Sequence, residues 1–359
     1  MTNGAIKPSI EIDIQPVLQS RLPEVDMNNI PFGKTFTDHM LVVEYTDGKW
    51  GKPRIMPYGK LEFSPAMSAL NYGQAIFEGM KAFRSESGEI VFFRMEDNFK
   101  RMNRSARRMG MPELEEDVFI DGIKSLVNLD RDWVPTRQQG SLYLRPVMFA
   151  TDEMLGVRVS SNYLFVVMCS PVGPYYAKPV KLLTTKDYVR ATFGGTGAAK
   201  AAGNYGAAMM PSELAKQRGY DNLIWLDARE SRYIEEVGTM NIFFVIDGEV
   251  VTPLLGGTIL PGITRDSLIN IMHEHDIPVR ERRISIYEIE NAFEQGTLQE
   301  AFGAGTAAGV SHVASIYYGG RDMVLPPVEE RKIGPWLLQV LSDYRYGAIP
   351  DTHGWLTKL

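Results

Sequence analysis

Gly194-Gly-Thr-Gly-Ala-Ala-Lys200-Ala-Ala-Gly-Asn-Tyr205-Gly206 follows a strand-like run, Val180 to Thr184, and decides how the second half of this 359-residue chain is read. A nucleotide phosphate loop needs Gly directly before the Lys and Ser or Thr directly after it. Ala199 and Ala201 hold those places. The segment also contains no acidic residue from Gly194 to Met210, so Lys200 gains neither an ion pair nor a helical charge partner from its neighbours. Two readings are open at this point. Lysines are mostly exposed, and a surface lysine on a glycine-rich loop is the plain one. The other is an amine nucleophile, which needs a depressed pKa supplied by apolar surroundings or neighbouring positive charge.

Outward from this segment the pattern predicts a helix to Arg218, then strands over Asn222–Asp227, Arg232–Val237 and Asn241–Ile246, with Asp247-Gly248 as a hairpin turn. Pro261-Gly262-Ile263-Thr264-Arg265 ahead of the periodic Leu268, Ile271 and Met272 marks a helix start. A strand is predicted over Val279–Ile284 and an amphipathic helix over Lys332–Tyr344. In the first half, strands are predicted at Thr37–Glu44, Glu89–Arg94, Ser141–Phe149 and Tyr163–Val167. Met95, Phe99, Met102, Ala106 and Met109 recur at helical spacing. Closely spaced prolines in Pro171-Val-Gly-Pro174 and at Pro179 place a linker at 171–179, dividing a first domain, 1–170, from a second, 180–359. The class is α+β.

Composition narrows the function. With 38 basic and 44 acidic residues the net charge is -6, and no block of like charge stands apart, which argues against nucleic acid. The single cysteine, Cys169, allows no internal disulfide and no cysteine-based zinc site, as suits a reducing cytoplasm. Residues 1–13 lack the basic-then-apolar order of a signal peptide. Val159–Ala177 is free of charge for 19 residues, but its serines, prolines and glycine read as a buried strand and linker rather than a membrane span.

Three other places carry chemistry. Glu235-Glu236-Val-Gly-Thr239-Met-Asn241 sets two carboxylates beside an apolar run, either a solvated strand end or a carboxylate for a protonated ring nitrogen. The helix start at Ile263 offers backbone N–H groups and the positive end of a dipole to a phosphate. Gly303-Ala-Gly305-Thr-Ala-Ala308, with Asp322 further on, satisfies a loose dinucleotide pattern, although strand-like Val313–Tyr318 follows where a helix is required.

Taken together, several motifs resemble the branched-chain aminotransferases, members of the fold-type IV pyridoxal-phosphate enzymes. They are Phe32-Gly-Lys-Thr-Phe-Thr-Asp38-His-Met, Tyr72-Gly-Gln-Ala-Ile-Phe77-Glu-Gly-Met-Lys-Ala-Phe83, Ser141-Leu-Tyr143-Leu-Arg145-Pro, Lys200-Ala-Ala-Gly-Asn-Tyr205-Gly, Glu236-Val-Gly-Thr239-Met-Asn241, Leu260-Pro-Gly-Ile-Thr264-Arg and Phe302-Gly-Ala-Gly-Thr306-Ala. They are collinear over most of the chain. The resemblance implies a smaller N-terminal α/β domain and a larger C-terminal pseudo-barrel domain that binds the cofactor. It implies Lys200 as Schiff-base lysine and proton shuttle, Tyr205 on the cofactor's phenolic oxygen and Glu236 on its ring nitrogen. Glu235 is then the more dispensable neighbour. Arg101, the N–H groups of Ile263 and Thr264, and the Thr306 hydroxyl would hold the phosphate. Substrate would meet Phe32, Phe77, Tyr143, Thr239 and Ala307, with Arg145 for a distal carboxylate and Tyr72, Leu155 and Val157 arriving from the second subunit of a homodimer.

The implied reaction moves amino groups between leucine, isoleucine or valine and 2-oxoglutarate. Two departures stand out: Ala308 and Ser311 occupy the places of a C-x-x-C pair in animal members, and Met95 replaces a proline that often follows Arg94. The nearest competing readings share the fold, a D-amino-acid transaminase or an aminodeoxychorismate-type lyase. More distant ones are a non-catalytic cofactor carrier and a dinucleotide oxidoreductase.

Overall fold

The computed structural model describes residues 9–173 and 178–359. Those residues form two compact units. One contains the residues before 174 together with 199–202 and 343–359, and the other contains the residues up to 198 and 203–342. The chain therefore returns to its first unit twice, once for the four residues around Lys200 and once for its C-terminal segment.

The spine of the first unit is an antiparallel pair of ten-residue strands, Ser141–Ala150 and Tyr163–Val172, in unbroken register from Ser141↔Val172 to Ala150↔Tyr163. Around it a ten-stranded sheet assembles. Alternation decides what each face does. Leu142, Leu144 and Met148 join the core made with the helices Met95–Arg108 and Glu116–Leu129, through Met95, Met102, Ala106, Phe119 and Ile123. Tyr143, Arg145 and Val147 alternate with them and are half-buried. The C-terminal strand Leu356–Lys358 pairs antiparallel with Ile90–Phe93, which explains why 343–359 belongs to this unit.

The second unit is a nine-stranded sheet in which Val180–Thr184 lies parallel to both Asn222–Leu226 and Gly309–Tyr318. Asn241–Ile246 and Glu249–Thr252 form the predicted hairpin, with Asp247 and Gly248 both at positive φ (50° and 78°) as a tight turn needs. The helix predicted from Ile263 runs Ile263–Glu274.

One expectation needs correction, and one alternative is removed. The proposed linker begins too early, because Pro171 and Val172 are paired with Leu142 and Ser141 in the long strand; residues 174–177 of that linker lie outside the described residues. The dinucleotide alternative fails because Leu298–Gly305 turns directly into the antiparallel strand Gly309–Tyr318, so the glycines open no helix. The charge-free run that raised the membrane question is largely the strand Tyr163–Val172, and no described helix is long and apolar enough to cross a membrane.

Candidate active site

In the first unit, Lys200 is clamped through its backbone. Its N–H donates to Ser105 Oγ at 2.9 Å, its carbonyl accepts from the N–H of Phe77 at 3.1 Å, and the next residue bridges Ala201 to Ile76. The lysine is half-buried, and its ammonium lies 4.7 Å from the centre of the Phe77 ring. Burial, and next the positive charge of Arg101, push its pKa down to about 8, against a partial pull upward from Glu78. The surface-loop reading of Lys200 is thereby excluded. Loss of solvation and a neighbouring cation both disfavour the ammonium, the condition for amine nucleophilicity.

Arg101 and Ser105 stand one turn apart on the helix Met95–Arg108. Arg101 is not on a solvated basic face but 3% exposed, its Nε and Nη2 each 2.8 Å from the Glu78 carboxylate, which is fully buried. Sequence reasoning passed over Glu78, although it sits inside the Phe77-Glu-Gly79 motif. The two-pronged contact with Glu78 fixes the orientation of the Arg101 guanidinium.

The sheet register brings Phe77, Tyr143 and Arg145 of this unit together. Arg145 Nη2 donates to the Tyr143 hydroxyl at 2.9 Å, and its guanidinium lies 4.6 Å from the Phe77 ring centre and 5.4 Å from that of Tyr143. Phe32 meets Tyr143 edge-on at 5.2 Å. Gly79 is required beneath: a Cβ there would lie 2.2 Å from the Tyr143 hydroxyl. Tyr72, Leu155 and Val157 stand apart from this group as exposed apolar side chains, 41%, 76% and 88% accessible.

In the second unit, Glu236 lies on the strand Ile234–Val237, opposite Trp225, and is 2% exposed. Its Oε1 accepts from the Leu260 N–H at 2.6 Å. Arg190 adds a two-pronged ion pair, Nε to Oε2 at 2.7 Å and Nη2 to Oε1 at 3.0 Å. Sequence reasoning missed Arg190; a lone arginine ten residues before the lysine carries no pattern that finds it. Glu235 is neither solvated nor free of contacts. It is 7% exposed, accepts a 2.5 Å hydrogen bond from the Thr258 hydroxyl, and burial pushes its carboxyl up.

The remaining predicted residues of this unit sit on turns and helix starts. Thr239 is exposed in the turn that closes Val237 onto Met240. Asn241 Nδ2 donates to the Leu260 carbonyl at 3.0 Å, fixing the approach to the helix Ile263–Glu274. Its N-cap is Gly262, which offers no side-chain cap, and Ile263 and Thr264 are buried. Thr306 and Ala307 are half-buried in the turn after Gly305, and Tyr205 is half-buried in the helix Ala202–Gln217.

Residues 75–316 match the family described as Amino-transferase class IV. A probable branched-chain-amino-acid aminotransferase of Staphylococcus epidermidis is 47% identical over 93% of this chain and 94% of its own. The crystal structure of a branched-chain aminotransferase from Thermoproteus uzoniensis with norvaline superposes with a TM-score of 0.74 at 26% identity, covering 89% of this chain and 99% of that one. The branched-chain amino acid aminotransferase from Escherichia coli gives a TM-score of 0.71, also at 26% identity, over 89% of this chain and 98% of that one. This chain belongs to the branched-chain-amino-acid aminotransferase family.

Proposed function

We propose that this protein exchanges amino groups between the branched-chain L-amino acids leucine, isoleucine and valine and 2-oxoglutarate, giving the branched 2-oxo acids and L-glutamate, with pyridoxal 5'-phosphate as cofactor. The observation that carries the reading is Lys200, a half-buried lysine with a pKa near 8 whose backbone is tied on both sides.

The donor set fits pyridoxal phosphate. Lys200 offers an amine for its aldehyde, Arg101 a guanidinium for its phosphate, and Glu236 a buried carboxylate for its ring nitrogen. The helix start at Ile263–Thr264, with a glycine N-cap, suits the phosphate as well, together with the Thr306 hydroxyl, and Tyr205 serves the phenolic oxygen. When bound, the cofactor supplies an electron-withdrawing ring that stabilises negative charge developing at the amino acid's Cα. Lys200 would hold the cofactor through its amine, and would take the Cα proton and return it at C4′, a task that favours a pKa near the working pH.

Phe77 and Tyr143 give an aliphatic side chain two aromatic walls, with Phe32, Thr239 and Ala307 also contacting substrate. Arg145, edging the same wall, meets the distal carboxylate of glutamate when that substrate takes its turn. Tyr72, Leu155 and Val157 expose more apolar surface than a solvated loop needs, which supports a homodimer whose second subunit brings them to the pocket. The buried Cys169 is at ease in a reducing cytoplasm.

The test is single turnover. L-leucine, L-valine, L-glutamate and D-alanine are added separately to the holoenzyme, and loss of the bound cofactor's visible absorbance is followed. The first three react; reaction with D-alanine alone would overturn the reading.

A further inference from the structure

Arg190 joins three segments that are distant in sequence. Besides its two-pronged pair with Glu236, its Nη1 donates to the Thr258 carbonyl at 3.1 Å, and Nη1 and Nη2 reach the Gly197 carbonyl at 3.3 and 3.2 Å. Gly197 lies three residues before Lys200, and Thr258 leads into Leu260, whose N–H donates to the same Glu236 oxygen that Nη2 meets. The convergence is tight: a Cβ on Gly197 would stand 2.3 Å from the Thr258 carbonyl oxygen and 2.5 Å from the Ala191 Cβ. Both side chains of the ion pair are nearly buried, at 10% and 3% accessibility.

A carboxyl group this deep in the protein, left to itself, is driven toward its neutral form by loss of solvation. The Leu260 N–H and a guanidinium that spans both oxygens favour its ionised form and weaken its basicity. That matters for a partner N–H. A weakly basic carboxylate accepts the hydrogen bond of a pyridinium and leaves the proton on nitrogen. A more basic one takes the proton and leaves a neutral ring, which withdraws electrons poorly.

We propose that Arg190 is a positioning residue that fixes the charge state of Glu236 and thereby keeps the cofactor's ring nitrogen protonated. The proposal rests on Glu236 being the ring-nitrogen partner. Arg190 acts without touching substrate, and its planar fork is needed because a lysine ammonium cannot span both carboxylate oxygens and two carbonyls at once.

The experiment uses holoenzyme reconstituted with pyridoxal phosphate labelled with nitrogen-15 in the ring, for the unaltered protein, Arg190→Gln, Arg190→Lys and Glu236→Gln. The ring-nitrogen resonance should report a protonated ring in the unaltered enzyme and move toward neutral pyridine in Arg190→Gln and Glu236→Gln, with Arg190→Lys between. Turnover in Arg190→Gln should fall by about tenfold or more while the KM for leucine changes little. A displaced resonance in Glu236→Gln with an unmoved one in both Arg190 variants would overturn the proposal and leave the Glu236 assignment standing. An unmoved resonance in Glu236→Gln would instead remove the ring-nitrogen assignment, and the proposal with it. If Arg190→Gln does not fold, Arg190→Lys decides: the resonance of the unaltered enzyme there overturns the proposal.

Discussion

The backbone N–H of Lys200 donates to the hydroxyl of Ser105, a residue ninety-five positions earlier in sequence and 1% exposed. Because Ser105 shares a helix with Arg101, the same rigid rod that presents a guanidinium also fixes the lysine's main chain. Ser105→Ala removes the acceptor and leaves a poorly solvated N–H, a cost of about 1–3 kcal/mol. The expected result is a lowered melting temperature and a kcat reduced by about tenfold if a similar cost falls on the transition state. Cofactor binding should change less than kcat. Unchanged melting and kcat would show that the lysine is positioned without this bond.

Gly79 and Tyr143 form a second such pair, since the tyrosine hydroxyl occupies the space a Cβ on Gly79 would need. Gly79→Ala must tilt the ring and break the hydrogen bond that Arg145 donates to its hydroxyl. KM for both leucine and 2-oxoglutarate should rise, with affinity for pyridoxal phosphate little changed. Steady-state kinetics and cofactor titration check this, and a variant with weakened cofactor binding but unaltered KM would contradict it.

Much of this was legible in the sequence, and what was not has a physical reason. The largely apolar run Ser141–Phe149 reads as a buried strand, and the strand observed differs from it by only one residue because its residues pack in the interior of the unit. The helix starting at Ile263 was legible because Pro261-Gly262 punctuates a periodic run. Lys200, Glu236 and Arg101 were assigned their roles by resemblance, since single charged residues carry no periodic signal. Glu78 and Arg190 escaped for the same reason. Their roles consist of contacts with residues 23 and 46 positions away, and only the folded chain brings such pairs together. Alternation says that Glu235 faces away from Glu236, but not that the opposite face is buried too, which only the folded chain shows.

Glu78 and Arg101 are both almost wholly buried, so neither charge is solvated if the other is removed. Glu78→Gln removes the carboxylate that pairs with this buried guanidinium, which costs on the order of 3–5 kcal/mol. Since Arg101 is proposed to grip a phosphate, inorganic phosphate should return part of that loss. Thermal melts of the apoprotein in phosphate and in chloride at equal ionic strength provide the comparison. The phosphate increment should be larger for Glu78→Gln than for the unaltered chain, and equal increments would remove Arg101 from the phosphate site.

Lys200 makes both stability and cofactor capture depend on pH. Its pKa falls from 10.5 to about 8 in the folded chain, with burial the leading cause and Arg101 the next. Between those values the unfolded chain binds the proton that the folded one has released. Stability therefore rises with pH from about 8 toward 10.5, and below 8 the buried ammonium opposes folding in full. Lys200→Met should accordingly be more stable than the unaltered apoprotein at about pH 7, with the gap closing as the pH approaches about 10. The same shift leaves about half of the lysine as free amine at pH 8, where an ordinary lysine offers well under a hundredth. Covalent capture of pyridoxal phosphate by the apoprotein should then accelerate with pH only until about 8 and level off above it. A rate that keeps climbing to about pH 10 would mean that Lys200 titrates as a solvated amine, and the central assignment would lose its physical basis.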